Sequence, residues 1–155
     1  IDGVHHVHTV RSRWMGHHAL VDLHVRVTPR VSVSEGHRIA EAVRLALLDH
    51  GSRLADVMVH VDPEDDTDGG PSNELPLRRE LMGRLHARWN GLAAAERVEG
   101  VTLHYLGGQV HLDITLAPPA TDSGDRAAKA EALRAAAAAE PGVGSVTIRE
   151  RVAPC

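Results

Sequence analysis

An internal repeat constrains the fold of this chain more than any other feature of its sequence. The segment Val21–Pro29 aligns in sequence with Val110–Pro118, and Ala40–Arg44 aligns with Ala130–Arg134. In both copies the first segment alternates apolar and polar side chains, which is typical of a strand with one buried face. The second segment belongs to a helical pattern, and each copy closes with a Val-rich strand that runs into proline. The repeat therefore predicts two small domains of one fold in tandem.

The first copy is predicted to have the order ββαβ. Ser32 and Glu35 have the spacing of a capping box, which predicts the start of a helix. Gly51 predicts its end. Ile39, Val43 and Leu47 follow Ser32 at helical spacing. The predicted elements are a strand in 4–13, a turn at 14–18, a strand over 20–28, this helix, and a strand over 55–61.

The second copy is predicted to have the order αββαβ. Leu77, Leu81, Leu85 and Trp89 line one face of a helix. It is followed by a hairpin of 98–106 and 109–117 about Gly107-Gly108, a helix over 125–139 and a strand over 143–152. By comparison, the first copy lacks a leading helix. We therefore expect either that the chain is an excised fragment or that the helix near 77–90 packs on the first copy's sheet.

The acidic, Gly- and Pro-rich stretch 64–73 contains no apolar side chain apart from its glycines and proline, and it predicts a linker. A calcium loop is disfavoured because the spacing of its aspartates does not match an EF-hand. The predicted organisation is a module at 1–63, a linker at 64–73 and a second module at 74–153.

Composition excludes several classes of protein. The 155 residues carry a formal charge of −4 and no phenylalanine, so neither a basic patch nor an aromatic platform predicts nucleic-acid binding. One cysteine, Cys155, allows no disulfide within the chain. No apolar run reaches the roughly 18–20 residues of a membrane span. A core of aliphatic residues alone is thin, and burial in a dimer interface would strengthen it.

Three polar residues on two strands predict a metal site. His24 lies opposite the apolar face of its strand, and His60 and Asp62 lie opposite Val57, Val59 and Val61 on theirs. Imidazole nitrogen and carboxylate oxygen are ligands for Zn²⁺ and similar divalent cations. Because both strands carry such donors on the polar face, we expect the donors to converge there.

The other histidines are less well defined by pattern. Periodicity does not decide which of His5, His6 and His8 points towards His24, while His17 and His18 fall in the turn and His37 on the first turn of a helix. The remaining histidines are expected at the surface, although His111 and Asp113 share a face and form a weak second candidate site. No nucleophile motif, phosphate loop or dinucleotide fingerprint occurs, so we do not expect an enzyme.

Residues 1–63 resemble the cytoplasmic C-terminal domain of the cation diffusion facilitator, or cation efflux, transporters. The resemblance rests on Gly3-Val4-His5, Leu23-His24, Gly36-His37-Arg38-Ile39-Ala40 and Val59-His60-Val61-Asp62-Pro63. It implies an α+β, ferredoxin-like αββαβ fold, here as two modules in tandem with the first lacking its leading helix. It also implies metal ligands at His5, His24, His37, His60 and Asp62.

The resemblance further implies a homodimer attached to the transmembrane domain of a parent transporter at the cytoplasmic face of the membrane. The module would sense a cytosolic divalent cation through a His/Asp site near the dimer interface. Zn²⁺ is the expected ion, with Co²⁺, Ni²⁺, Fe²⁺ and Mn²⁺ as alternatives. Neither nucleic acid nor a small-molecule substrate is expected. Two other functions stay open: a ferredoxin-like binding or interaction module without metal, and a soluble metal buffer.

Overall fold

A computed structural model describes residues 1–64, 74–118 and 125–152. The chain divides into two compact units, Ile1–Gly69 and Gly70–Cys155. All but the first residue of the predicted linker 64–73 lies outside the described residues. No helix among the described residues is long and apolar enough to cross a bilayer.

The first unit is a three-stranded sheet covered on one face by a helix. Its elements are β1 (His6–Met15), β2 (His18–Arg26), α1 (Val33–His50) and β3 (Leu54–Asp62). The strand order is β1-β2-β3, with β1 antiparallel and β3 parallel to the central β2. A parallel neighbour needs a crossover, and α1 supplies it.

The predicted start and end of α1 are both confirmed. The Ser32 hydroxyl accepts a hydrogen bond from the Glu35 N–H at 3.1 Å, and the Gly51 N–H donates to the Leu47 carbonyl at 2.9 Å. The helix buries Val43 against Leu23, Val25 and Val57 of the sheet. This core leaves the opposite face of the sheet to polar side chains.

The second unit has the same topology with one more helix. Its elements are α2 (Arg78–Trp89), a short 3₁₀ helix (Ala95–Arg97), β4 (Val98–Leu106), β5 (Gln109–Leu116), α3 (Arg126–Ala138) and β6 (Val143–Glu150). The strand order is β4-β5-β6, and β5 pairs antiparallel with β4 and parallel with β6. The ferredoxin-like αββαβ order is thus complete here. In the first unit, residues 1–5 precede β1 without a helix.

The apolar face of α2 is buried inside the second unit. Leu81 and Leu85 are fully buried and Trp89 is 2% exposed, in one cluster with the inward residues of the second sheet. The buried Glu140 accepts hydrogen bonds from Arg84 and Arg88 of α2, at 3.5 and 2.5 Å. The expectation that this helix packs on the first copy's sheet is therefore wrong, because its apolar residues are already buried in its own unit.

Two local features differ from the sequence prediction. The first strand extends to Met15, so the turn predicted at 14–18 is confined to Gly16 and His17. The short 3₁₀ helix at Ala95–Arg97 was not predicted. At the second hairpin Gly107 and Gly108 both have positive φ, 58° and 71°, as a two-residue turn of this kind requires.

A candidate metal centre on the polar face of the first sheet

His24 and Asp62 meet on the polar face of the first sheet. In the parallel β2–β3 ladder, His24 lies opposite His60 and Arg26 lies opposite Asp62. The buried residues Leu23 and Val25 alternate with His24 and Arg26, so the two faces of β2 are chemically distinct. The Asp62 Oδ2 atom lies 2.9 Å from His24 Nδ1.

His8 adds a third donor to this pair. Its Nε2 atom lies 2.9 Å from the same Oδ2 atom of Asp62. The three side chains are mostly buried, with 12% of His8, 32% of His24 and 16% of Asp62 exposed. A half-buried carboxylate is thus held between two imidazoles, each of which donates an N–H to it when Asp62 is ionised.

A β-bulge directs His8 onto the polar face. Val7 pairs with Val25 and Thr9 pairs with His24, so His8 is an extra residue in β1 between two paired positions. A bulge of this kind breaks the strict alternation of a strand and re-aims a side chain. Strict alternation places His6 and His8 on the same face, two residues apart, and therefore could not choose between them.

Two valines of β1 show the same bulge in the register of β1 against β2. Val7 and Val10 both pair with buried residues of β2, Val25 and Leu23, although they are three residues apart. A regular strand places side chains of one face two residues apart. The spacing of three between these valines, read against β2, indicates one extra residue between them.

His60 lies beside the cluster without joining it. Its ring stacks on the ring of His24, with centroids 4.4 Å apart and planes 13° from parallel. The ring of His8 meets His24 edge-on at 5.4 Å. The two contacts fix the orientation of the His24 ring, so that His24 Nδ1 is held towards Asp62.

Two residues implied by the family resemblance lie elsewhere. His5 is exposed, and its Nε2 atom lies 2.9 Å from the hydroxyl of Thr28. His37 is exposed on α1 and lines a cavity with Val59 and Val61, whose side chains face the helix rather than the polar face. Of the five, the structure brings His24 and Asp62 together and stacks His60 on His24 beside them. It adds His8 to the cluster.

The dimensions of the cluster suit a divalent cation. His8, His24 and Asp62 each offer one ligand atom, and these atoms all lie within 4.8 Å of one another. Zinc–ligand distances of about 2.0–2.2 Å place the ligand atoms of a tetrahedral site roughly 3.3 Å apart. The present 2.9 Å separations of both nitrogens from Asp62 Oδ2 need to change by only tenths of an ångström. Nitrogen and oxygen donors without thiolate favour Zn²⁺ and the neighbouring divalent metals.

Another carboxylate on β3, Asp56, is already engaged. Arg44 donates to its Oδ1 atom at 2.9 and 3.2 Å. This hydrogen bond, followed by one from the Val57 N–H, lowers the pKa of the Asp56 carboxyl. Asp56 is therefore a partner of Arg44 rather than a fourth ligand.

The second unit does not reproduce the three-donor group. Asp113 occupies the position of His24 in the repeat, and its Oδ2 atom lies 3.4 Å from His104 Nε2. Thr147 stands opposite Asp113 and Arg149 opposite Thr115, where β3 has His60 and Asp62. His111 is hydrogen-bonded to Ser145, with Nδ1 and Oγ 2.8 Å apart. Among the described residues, this face offers no group of three converging donors.

Comparison with known proteins finds a family model that matches the first unit. Residues 1–64 match the family model described as "Cation efflux protein, cytoplasmic domain". The match covers 64 of the 155 residues and lies within the first unit.

Two curated proteins with similar sequences are named as metal tolerance proteins. The chain is 26% identical over 134 residues to "Metal tolerance protein C1" of Arabidopsis thaliana, which covers 79% of this chain and 28% of that protein. It is 36% identical over 61 residues to "Metal tolerance protein 2" of Oryza sativa subsp. japonica, covering 39% of this chain and 16% of that protein. The chain thus spans well under half the length of these curated relatives.

A solved structure of the MamM C-terminal domain is also similar. It is 28% identical, with a TM-score of 0.40, and covers 41% of this chain and 80% of that chain.

Proposed function

We propose that the first unit binds a divalent cation, with Zn²⁺ as the expected ion, through His8, His24 and Asp62. The observation that carries the proposal is the convergence of three donor atoms within 4.8 Å on the polar face of the first sheet. The cation would replace the N–H protons that now lie between the imidazoles and the carboxylate. Binding therefore competes with protons and weakens in acid.

We further propose that the chain is the cytoplasmic regulatory and dimerisation region of a divalent-cation efflux transporter at the inner face of a membrane. The family match of residues 1–64 and the names of the metal tolerance relatives support this role. The exposed His60 and His37 are the residues through which a second copy would contribute to, or respond to, the bound ion.

Regulation would follow from linkage. A cation shifts an equilibrium only by its difference in affinity for the two states. If the ion binds better when two copies are associated, cytosolic metal favours the dimer and biases the attached membrane region. At a hundredfold excess over its dissociation constant, a ligand specific to one state stabilises that state by about 2.7 kcal/mol.

Equilibrium dialysis with Zn²⁺ tests the proposal on the wild-type chain, on Asp62→Asn and on Asp49→Asn. Asn keeps the shape of Asp62 and removes its charge, whereas Asp49 is an exposed carboxylate on the last turn of α1. We expect one tight equivalent of zinc for the wild type and the Asp49 variant, and loss of the tight equivalent for Asp62→Asn. Equal binding by all three would place the metal elsewhere and contradict the site.

Sedimentation with chelator and with zinc separates the regulatory role from simple binding. An increase in dimer on zinc addition, absent in Asp62→Asn, is the expected result. An identical dimer in both conditions would reject the switch and leave a constitutive dimer with a metal site. Tight zinc binding by a chain that stays monomeric would favour a metal buffer instead. Absence of tight zinc would favour an interaction module in which the His–Asp hydrogen bonds only brace the sheet.

A further inference from the structure

The hairpin of the first unit is longer than its counterpart in the second unit. Through the repeat, the Arg13–Leu20 pair corresponds to the Leu106–Gln109 pair. The second hairpin closes there with its Gly-Gly turn. The first continues through two more cross-strand pairs, Trp14 with Ala19 and Met15 with His18. Since the second unit forms the same sheet without them, the fold does not require these two pairs.

The added segment exposes two large apolar side chains. Trp14 is 64% exposed and Met15 is 62% exposed. Successive residues of a strand point to opposite faces, so these two side chains flank the tip on both sides. At the corresponding end of the second hairpin, the Tyr105 hydroxyl donates to the Pro76 carbonyl at 3.0 Å and Leu106 is half-buried.

The tip is also locally basic in a chain that is acidic overall. The formal charge of the whole chain is −4, yet Arg11–His18 contains two arginines, two histidines and no carboxylate. Arg53 lies at the same end of the sheet, since its carbonyl accepts a hydrogen bond from the Ala19 N–H at 2.8 Å. The Arg53 residue is exposed.

Acidic groups offset this charge only in part. Asp22 lies opposite Arg11 in the ladder, and Asp49 is exposed on the last turn of α1. Arg13 has Leu20 opposite it and therefore faces no carboxylate across the strand pair.

We propose that this tip, Arg11–Ala19 together with Arg53, docks on an anionic lipid bilayer surface. Indole is an amphipathic ring that favours the headgroup region, and arginine keeps its charge in water while its stem lies along apolar material. Each basic residue near an anionic leaflet strengthens binding about fivefold. The combination of Trp14, Met15 and three arginines at an added, exposed tip matches this surface in both apolar and charged character.

The proposal does not depend on the metal site. The tip lies at the beginning of β2, whereas His24 is near its end, and the tip includes none of His8, His24 and Asp62. Lipid binding and cation binding can therefore succeed or fail separately, and Asp62→Asn should bind vesicles as the wild type does.

Vesicle partitioning of the full chain tests the proposal. The probes are vesicles of phosphatidylcholine alone and of phosphatidylcholine with phosphatidylserine, with brominated lipid to quench tryptophan at membrane depth. The chain has two tryptophans, and Trp89 is 2% exposed, so it serves as an internal reference. We expect binding only to the anionic vesicles, with a blue shift and quenching of Trp14 that Trp14→Ser removes.

Charge variants complete the test. Arg11→Gln with Arg13→Gln should weaken partitioning about thirtyfold, as two contributions of about fivefold predict. Arg38→Gln, an exposed arginine on α1, is the control and should change it little. No binding, equal binding to both kinds of vesicle, or equal effects of both variants would overturn the proposal. Self-association without vesicles that Trp14→Ser abolishes would also overturn it, since the tip would then be a contact between two copies.

Discussion

The two units share one topology and differ in what each face of the sheet carries. Both have an antiparallel hairpin followed by a parallel third strand, with a helix covering one face. On the polar face, the first unit holds His24 and Asp62 where the second has Asp113 and Arg149. The first unit also holds His8, an extra residue in β1 for which β4 has none beside Thr102. The fold itself therefore does not demand a metal site. The site depends on two side-chain identities and one bulge.

The covered faces differ as well. Val7 is 45% exposed and Val10 is 65% exposed on β1, whereas their counterpart Val101 on β4 is 8% exposed and Leu103 is half-buried. In the second unit α2 supplies Leu81, Leu85 and Trp89 to the core beside β4. The difference shows how much of the sheet one additional helix covers.

Truncation in each core should produce the largest effect. Leu85→Ala removes a fully buried side chain of α2 and should destabilise the second unit by about 2–5 kcal/mol. Val43→Ala in the first core should cost about 2 kcal/mol and leave the second unit unchanged. Chemical denaturation followed by circular dichroism and by Trp89 fluorescence measures both. If Leu85→Ala leaves the unfolding transition of the second unit unchanged, α2 does not stabilise the second core.

Alanine substitutions should distinguish the contribution of His8 to zinc binding from those of the neighbouring His5 and His6. His8→Ala should weaken zinc binding by about 100-fold or more, because loss of a residue that only supports a ligand already costs about 10–100-fold. His6→Ala is the matched control, because His6 is exposed on the same strand and pairs with Arg26. His5→Ala adds a second comparison, since His5 contacts Thr28. Titration calorimetry measures the zinc affinity of each variant. If His5→Ala loses zinc affinity and His8→Ala does not, the ligand is His5 rather than His8.

Transplanting donors tests whether the second unit lacks only side chains. Thr147→His with Arg149→Asp restores the β3 residues opposite Asp113 and Thr115. We expect a second zinc equivalent of affinity roughly tenfold or more below the first, because β4 has no bulge next to Thr102 to bring in a third ligand. Dialysis counts the equivalents. A second site as tight as the first would show that the bulge is unnecessary.

A smaller effect concerns Glu150 at the end of β6. Hydrogen bonds from Arg97 first, and then from Arg126, lower the pKa of this carboxyl, against the opposing effect of burial. A lowered folded-state pKa means that the ion pair stabilises the unit above the ordinary value of 4.5 and loses this contribution as the pH falls through the folded-state pKa.

Glu150→Gln should therefore cost at most about 1 kcal/mol at neutral pH and nothing once Glu150 is protonated in the wild type. The first unit has Pro63 at this position of the repeat and should show no such pH dependence there. Thermal unfolding between pH 3 and pH 7 checks the difference. An equal loss at both ends of this range would mean that the ion pair is not its cause.

Much of the fold could be predicted from the sequence because its signals are local. The Ser32–Glu35 cap, the glycines after the helix and in the second hairpin, and the alternation of β2 all correspond to contacts within a few residues. The polar face of His24, His60 and Asp62 follows from the same alternation. The burial of α2 in its own unit is a long-range matter, and pattern alone left it open.

The third member of the site shows where pattern reasoning ends. Periodicity left His5, His6 and His8 open, and the family resemblance favoured His5. The choice depends on a bulge that is visible only when β1 is read against its partner strand, with Val7 opposite Val25 and Val10 opposite Leu23. Cross-strand register is set by tertiary packing, so a strand read alone does not contain it.

Anomalous diffraction from a crystal of the chain grown with Zn²⁺ tests the central claim most directly. The account predicts one strong peak in each first unit, bonded to His8, His24 and Asp62 at about 2.0–2.2 Å, and no comparable peak beside His104 and Asp113 of the second unit. Zinc held by His5 without His8, or zinc on the second sheet alone, would contradict it.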